Sequence, residues 1–273
     1  MEPGELIGRG YQCDVFALGE DKVLKVFKPG ADRSWIEREF RVTRVLHEAG
    51  LPVPAVFDIV DINGRAGIVY ERIHGPLISD LALANPGKVK PLARGMAELH
   101  ANIHSVTIKG LPSQRERLIS RVRGLWQITS EEKESILGIL DGLPDGDVVC
   151  HGDLNLNNVI VSPKGMVAID WDNGCSGNPL ADVARTVLLL DNAHCYFDDP
   201  SERTAVDALA KRFRGAYLDR YLEIATERTG QPATAESVAK WIIPVAAVRL
   251  DENIAQEQDA LLEIARKGIA RLV

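Results

Sequence analysis

Apolar and polar residues alternate through residues 6–27, broken by Gly8, Gly10 and the Gly19-Glu20-Asp21 turn, which predicts two or three short strands. The period then changes. Residues 34–49 carry apolar positions at helical spacing, with Ser34 as expected N-cap, Gly50 as stop, and Pro52 and Pro54 beyond. Residues 56–60 and 66–71 alternate again around Asn63-Gly64, a strong hairpin turn. After His74-Gly75-Pro76, which reads as a linker, Leu92, Met96, Leu99 and Ile103 recur every three or four residues. Further helices are expected near 114–125, 130–141, 179–191, 201–228 and 235–268. Residues 148–174 interrupt them with strand-like runs. The pattern predicts an α+β protein: a β-rich lobe with one helix over residues 1–74, and a mostly helical lobe over 75–273 carrying one β-hairpin motif.

Composition narrows the possibilities. With 273 residues, 45% hydrophobic and 26% charged, the chain is long enough for two lobes with a real core. A formal net charge of −7 argues against a nucleic-acid binder or a protein held on anionic membranes, and would suit a cationic partner. No apolar run approaches a membrane span, and the opening MEPGELIGRG is neither basic nor apolar enough for a signal peptide. Cys13, Cys150, Cys175 and Cys195 form no CxxC and read as reduced thiols, which points to the cytoplasm. Oligomeric state is not legible.

The chemistry concentrates in 148–174, VVCHGDLNLNNVIVSPKGMVAIDWDNG. Two apolar runs, Val148-Val149-Cys150 and Val159-Ile160-Val161, are separated by eight residues, where a hairpin needs two to five. Val159-Ile160-Val161 turns at Ser162-Pro163-Lys164-Gly165 and returns toward Ile169, so Asn158 and Asp170 fall at neighbouring strand ends. An amide oxygen beside a carboxylate suits a hard cation such as Mg²⁺. Asp153, five residues before Asn158, could orient a hydroxyl and accept its proton. Asp172 rivals Asp170, but Asp170 follows the apolar strand directly. His151 is expected to pack under the loop, hydrogen-bonded to its backbone. Asn157 is expected in a tight turn, and Asn155 either fixes the loop or touches an acceptor.

His151-Gly152-Asp153, then Asn158, then Ile169-Asp170-Trp171 resembles the aminoglycoside phosphotransferase family, relatives of the protein kinases. The match is to H-R-D-x-x-x-x-N with Gly152 in place of Arg, and to D-F-G at Asp170. The resemblance implies a two-lobed kinase-like fold, ATP or GTP with Mg²⁺ as cofactors, Asp153 as catalytic base, and Asn158 and Asp170 as metal ligands.

Such a reading needs a lysine and a glutamate in the first lobe. Lys25 shares a strand face with Val23 and Phe27, a costly place for an ammonium unless it is paired. Glu39 shares a helix face with Ile36, Phe40, Thr43 and Leu46, whereas Glu37 shares one with Arg41, Arg44 and Glu48. Periodicity therefore turns Glu39 inward, toward Lys25, and Glu37 to water. Gly8 and Gly10 could let backbone approach phosphates, although no full G-x-G-x-x-G is present and an ordinary turn would look the same. By resemblance, Glu71 and Ile73 are hinge residues that present backbone to a nucleotide base.

Other clusters invite blander readings. His100 and His104 have zinc spacing without H-E-x-x-H. Asn178-Pro179 reads as helix cap and first turn, with Asp182 on the helix dipole; the resemblance adds that Asp182 braces the catalytic loop. Asp191, Asp198, Asp199, Asp251, Glu252, Glu257 and Asp259 could form an acidic acceptor pocket or a solvated face, with Arg249 and Arg266 interleaved. The expected activity is transfer of a γ-phosphoryl group to a hydroxyl of a small molecule, an aminoglycoside-like one favoured. Another small alcohol (macrolide, choline, homoserine or sugar), a nucleotide-binding pseudokinase, and a zinc hydrolase using His100, His104 and His151 stand as alternatives. No Ala-Pro-Glu closes an activation segment, which disfavours a protein acceptor.

Overall fold

The structure is a computed structural model describing residues 3–10 and 12–270. Met1 and Glu2 of the opening segment, Tyr11 beside Gly10, and the last three residues lie outside the described residues. The chain forms two compact units, Met1–Ile78 with Leu156–Gly174, and Ser79–Asn155 with Cys175–Val273. The sequence pattern divides the chain once, after residue 74. The hairpin at 156–174 instead belongs to the first unit, because its backbone bonds there.

In the first unit, β1 (Leu6–Arg9), β2 (Cys13–Leu18), β3 (Lys22–Phe27), β4 (Val56–Ile62) and β5 (Arg65–Glu71) form one antiparallel sheet, in the order β1-β2-β3-β5-β4. Asn63 and Gly64 both take positive φ at the β4–β5 turn, as a two-residue hairpin requires. Strand alternation splits the core. Leu24, Val26, Ile62 and Val69 pack on one face. Phe27, Ile68 and Tyr70 pack on the other, against Ile36 of helix α1 (Arg33–Glu48). Lys25, alternating with Leu24 and Val26, therefore points to the helix-covered face. Helix α1 is capped by Asp32, which accepts from the Ser34 N–H at 2.8 Å, so Ser34 is not the cap. The aspartate caps a first-turn N–H, so the helix starts at Arg33, before the serine.

The strands β7 (Val159–Ser162) and β8 (Gly165–Ala168) make the second hairpin. The Val161 N–H donates to the Pro76 carbonyl and the Ala168 N–H to the Pro52 carbonyl, each at 2.9 Å, and Leu77 bridges Ile160. Gly75 sits at φ 153, and a Cβ there would meet the Val161 carbonyl oxygen at 2.2 Å, so this crossing requires glycine. Trp171, 1% exposed, donates to the Ala168 carbonyl and closes the unit.

The second unit holds α2 (Ile78–Ala84) from Ser79 onward, α3 (Val89–Ile103), α4 (Gln114–Gly124), α5 (Ser130–Asp141), α6 (Pro179–Asp191), α7 (Pro200–Thr229), α8 (Ala235–Leu250) and α9 (Gln258–Ala270). Helix α3 packs on α7, and α6 on α7 and α8. Strand β6 (Val148–Cys150) pairs with β9 (Cys175–Gly177), a strand the pattern did not predict, and not with β7. The eight residues between β6 and β7 are thus no hairpin loop; they carry the chain from one unit to the other. The single helix expected over 235–268 is two helices. Asn253 takes φ 53, and the intervening Glu252 and Glu257 turn to ion-pair with Arg249, which breaks the helix. All four cysteines are free thiols. No helix among the described residues is long and apolar enough to cross a membrane.

Candidate active site

In the first unit, Lys25 Nζ lies 2.7 Å from Glu39 Oε1 and 2.7 Å from Asp170 Oδ1. Glu39, 2% exposed, also accepts from the Tyr70 hydroxyl at 2.7 Å, while Glu37 faces water and pairs with Arg33. Burial alone would push the Lys25 ammonium down, but Asp170 and Glu39 outweigh it and hold its pKa well above the ordinary value. Lys25 is therefore a fixed positive charge. Asp170 takes φ 65, a left-handed conformation that aspartate tolerates, directly after β8. The Ile169 N–H donates to the Asn158 carbonyl at 2.9 Å, so the two hairpin ends bearing Asn158 and Asp170 are joined. Asp172 accepts instead from its neighbour Asn173. A carboxylate and a carboxamide on joined strand ends are the oxygen donors that Mg²⁺ favours, with waters filling the remaining positions.

The glycine turn and the hinge residues lie elsewhere in the same unit. Gly8 is in β1 beside an irregularity in its pairing with β2, and the Gly10 N–H donates to the Cys13 carbonyl at 2.8 Å. Glu71 ends β5, its carboxylate accepting from the Ala55 N–H at 3.0 Å, so its side chain has a structural task that the pattern did not assign. Ile73 follows, outside the sheet.

In the second unit, one carboxylate organises the loop after β6. Asp182 Oδ2 accepts from the His151 N–H at 2.5 Å, and Oδ1 from the Gly152 N–H at 2.8 Å. His100 Nε2 and His104 Nε2 lie 3.0 and 3.2 Å from the same Oδ2. A carboxylate only accepts, so both Nε2 atoms carry hydrogens; His100 Nδ1 lies 2.6 Å from the Tyr217 hydroxyl and His104 Nδ1 2.7 Å from the Tyr221 hydroxyl. The brace role implied for Asp182 is what the geometry shows. The two histidines and Asp182 are close enough together to resemble a metal site. Each of these imidazole nitrogens lies at hydrogen-bond distance from an oxygen partner, so the cluster is a closed hydrogen-bond network as it stands. Burial pushes the His104 imidazole down to about 4, so it is neutral near pH 7. Burial would raise the Asp182 carboxyl, but His100 and His104 override it and hold it well below the carboxylate range.

Gly152 takes φ 80, which explains glycine where the kinase pattern has arginine. His151 is fully buried and its Nδ1 accepts from the Asp153 N–H at 3.3 Å, the loop-packing role expected of it. Asn155 Nδ2 donates to the Asp153 carbonyl and to Oδ2, each at 3.1 Å, which makes it a loop-fixing residue. Asn157 lies in a turn without positive φ. The Asp153 carboxylate meets Arg185 of α6, at 3.1 Å from Nε and 2.7 Å from Nη2. Sequence reasoning passed over Arg185. Its signal was a lone arginine in the apolar run 180–190, three residues after Asp182 and so on the same helix face. Tyr70 was also missed, since a tyrosine in a strand reads first as core.

Most of the acidic residues considered for an acceptor pocket have partners. Glu252 meets Arg185 at 2.6 Å, Arg249 and, at 3.7 Å, Arg121. Glu257, 1% exposed, meets Arg249 at 2.6 Å and the Tyr196 hydroxyl. Asp251 faces Arg121, Asp191 faces Arg214, and Asp199 caps α7. Arg266 pairs with Glu132 of α5.

The model of the phosphotransferase enzyme family matches residues 4–236. Among curated proteins, mouse acyl-CoA dehydrogenase family member 10 is 29% identical over 176 residues, 56% of this chain and 16% of that protein. Human acyl-CoA dehydrogenase family member 11 is 25% identical over 177 residues, 56% of this chain and 23% of that protein. The chain thus spans less than a quarter of the length of these relatives. Among solved structures, a thermostable mutant of aminoglycoside phosphotransferase APH(4)-Ia superposes with a TM-score of 0.66 at 16% identity, over 97% of this chain and 95% of that one. Amicoumacin kinase hAmiN, in complex with AMP-PNP, Ca²⁺ and Ami, gives 0.61 at 15%, over 98% and 88%. A choline/ethanolamine kinase family protein from Mesorhizobium loti gives 0.58 at 17%, over 99% and 86%. At such identities the structures speak for the fold, which is the two-lobed α+β kinase-like one. The family match covers most of the chain, its strands and its Asp153, Asn158 and Asp170 together, and the chain belongs to the phosphotransferase enzyme family.

Proposed function

We propose that this chain is a small-molecule kinase that transfers the γ-phosphoryl group of ATP or GTP to an acceptor hydroxyl. The observation that carries the reading is Lys25 held between Glu39 and Asp170, a buried ammonium with two carboxylates at 2.7 Å. Lys25 would position the α- and β-phosphates, with Glu39 fixing the lysine and Tyr70 fixing Glu39. Backbone around Gly8 and Gly10 would cover the phosphates, and the chain at Glu71 and Ile73 would meet the base. Asn158 and Asp170 would hold Mg²⁺, which when bound offsets negative charge on the transferring group. Asp153 would orient the acceptor hydroxyl and take its proton. The acceptor oxygen forms the new bond to the γ-phosphorus, the bond from that phosphorus to the bridging oxygen breaks, and the nucleoside diphosphate leaves with that electron pair. Positioning and electrostatics supply most of the rate.

The acceptor proposed from the resemblance is aminoglycoside-like, with another small alcohol as the second reading, and the setting is the cytoplasm, where the four free thiols stay reduced. A specific observation favours the small-alcohol reading. Glu252, Glu257, Asp251 and Asp191, which a polycationic acceptor would seek, are each opposed by an arginine. The test is nucleoside-diphosphate release by purified protein with Mg²⁺, across aminoglycosides, macrolides and small alcohols. Asp153→Ala should abolish turnover while largely retaining nucleotide binding; near-normal rates in that variant with the true acceptor would sink the mechanism.

A further inference from the structure

The Arg185 guanidinium is divided between two carboxylates. Its Nε and Nη2 both reach Asp153 Oδ1, and the same Nη2 lies 2.6 Å from Glu252 Oε1. Arg185 is itself buried, 6% exposed, so neither pairing is screened as a surface ion pair would be. Two donors on one carboxylate oxygen, with Asn155 on the other, fix the rotation of the Asp153 carboxylate and give its two oxygens different partners. Arg249 approaches Asp153 Oδ1 to 4.0 Å and binds the far oxygen of Glu252. Glu252 lies in the break between α8 and α9, and Arg249 and Glu252 both fall beyond residue 236, where the family match ends. The generic family pattern therefore does not account for this part of the cluster.

We propose that Arg185 is the positioning residue for Asp153, and that Glu252, by sharing the same guanidinium nitrogen, tunes how firmly Arg185 holds it. The proposal rests on the reading of Asp153 as the base. Charged groups face Asp153 from three places: Arg185 on α6, Arg249 on α8 and Glu252 after it. Burial pushes the Asp153 carboxyl up, Arg185 and Arg249 pull it down, and Glu252 pushes it up again. A base must be ionised before it can take a proton, so this balance sets the acid limb of the rate. Weakening the Arg185 hold moves that limb to higher pH. Removing the Glu252 charge leaves the guanidinium to Asp153 and moves the limb to lower pH.

A structural ion-pair network predicts that both changes destabilise the fold. Tuning predicts that they move the Asp153 titration in opposite directions. The experiment is a carbon-13 NMR titration of the intact protein labelled at aspartate Cγ, with the Asp153 resonance assigned by Asp153→Asn. Arg185→Met should raise the Asp153 pKa by about 1 to 3 pH units, and Glu252→Gln should lower it. Arg185→Lys should stay near the parent value while losing the two-point grip, so that with an acceptor from the screen kcat falls and KM holds. Should Arg185→Met not fold, the downward move in Glu252→Gln decides the matter alone. An unmoved Asp153 pKa, or a rise in Glu252→Gln, overturns the proposal. Turnover retained by Asp153→Ala would remove the base and leave the ion-pair hold; an unmoved titration would remove the hold and leave the base.

Discussion

A neutral imidazole in the core makes stability depend on pH in a direction that can be worked out. His104 titrates near its ordinary value of 6.5 in the unfolded chain but near 4 in place. Between those values the unfolded chain binds a proton that the folded chain refuses, so stability falls as pH drops from about 6.5 to 4, by about 3 kcal/mol in all. Asp182, held low by the histidines, adds its own loss only below its unfolded value of 3.8. Thermal unfolding between pH 7 and 4 should show the slope, and His104→Asn should flatten it; an unchanged slope would clear His104 of the effect. Tyr70→Phe removes a hydroxyl bonded to the buried Glu39 and should cost about 1–2 kcal/mol in a urea titration. At this scale the pattern separated Glu39 from Glu37 because helical periodicity is a strong geometric constraint. It missed Tyr70 and Arg185, because what matters there is a partner on another element, and spacing along one chain carries no such information.

Helix α6 carries Asp182 and Arg185, and its start is fixed by Asn178. That side chain accepts from the Leu180 N–H at 2.9 Å and donates to the Pro144 and Asp145 carbonyls at 3.2 and 3.3 Å. Asn178→Ala should therefore cost about 2 kcal/mol, the upper range for a lost cap, read from the shift of the urea midpoint. Gly152→Ala forces an L-residue to φ 80 and should cost about 1–2 kcal/mol while loosening the loop before Asp153. The sharpest drop should be in rate with the acceptor from the screen; an active Gly152→Ala would show that the loop tolerates other conformations. The cap and first turn of α6 were legible because Asn-Pro followed by an apolar run has a local mechanism. The break between α8 and α9 was not, because Asp251-Glu252-Asn253 is compatible with a helix until the ion pairs to Arg249 and Arg185 are counted. Strand β9 was equally hidden, since Cys-Ser-Gly acquires its pairing only from β6.

For the molecule as a whole, both units were visible in the texture of the sequence, but not their true membership. The hairpin at 156–174 looked like part of the helical half because it is surrounded by it in sequence. Residues 1–78 without it should not unfold cooperatively, since the Pro52 and Pro76 carbonyls lose their partners and Trp171 its place. Adding 156–174 through a short linker should restore a cooperative transition by circular dichroism. A cooperative transition in 1–78 alone would refute this account of the first unit. The interleaving also bears on synthesis. The five strands of the sheet leave the ribosome about a hundred residues ahead of the hairpin that completes their unit. At ordinary elongation rates of roughly 5–20 residues per second, the nascent sheet waits about 5 to 20 s with the Pro76 segment uncovered. A chaperone that binds extended apolar chain has that interval in which to act, and substitutions in the hairpin should lower yield in the cell more than they lower the stability of the finished protein.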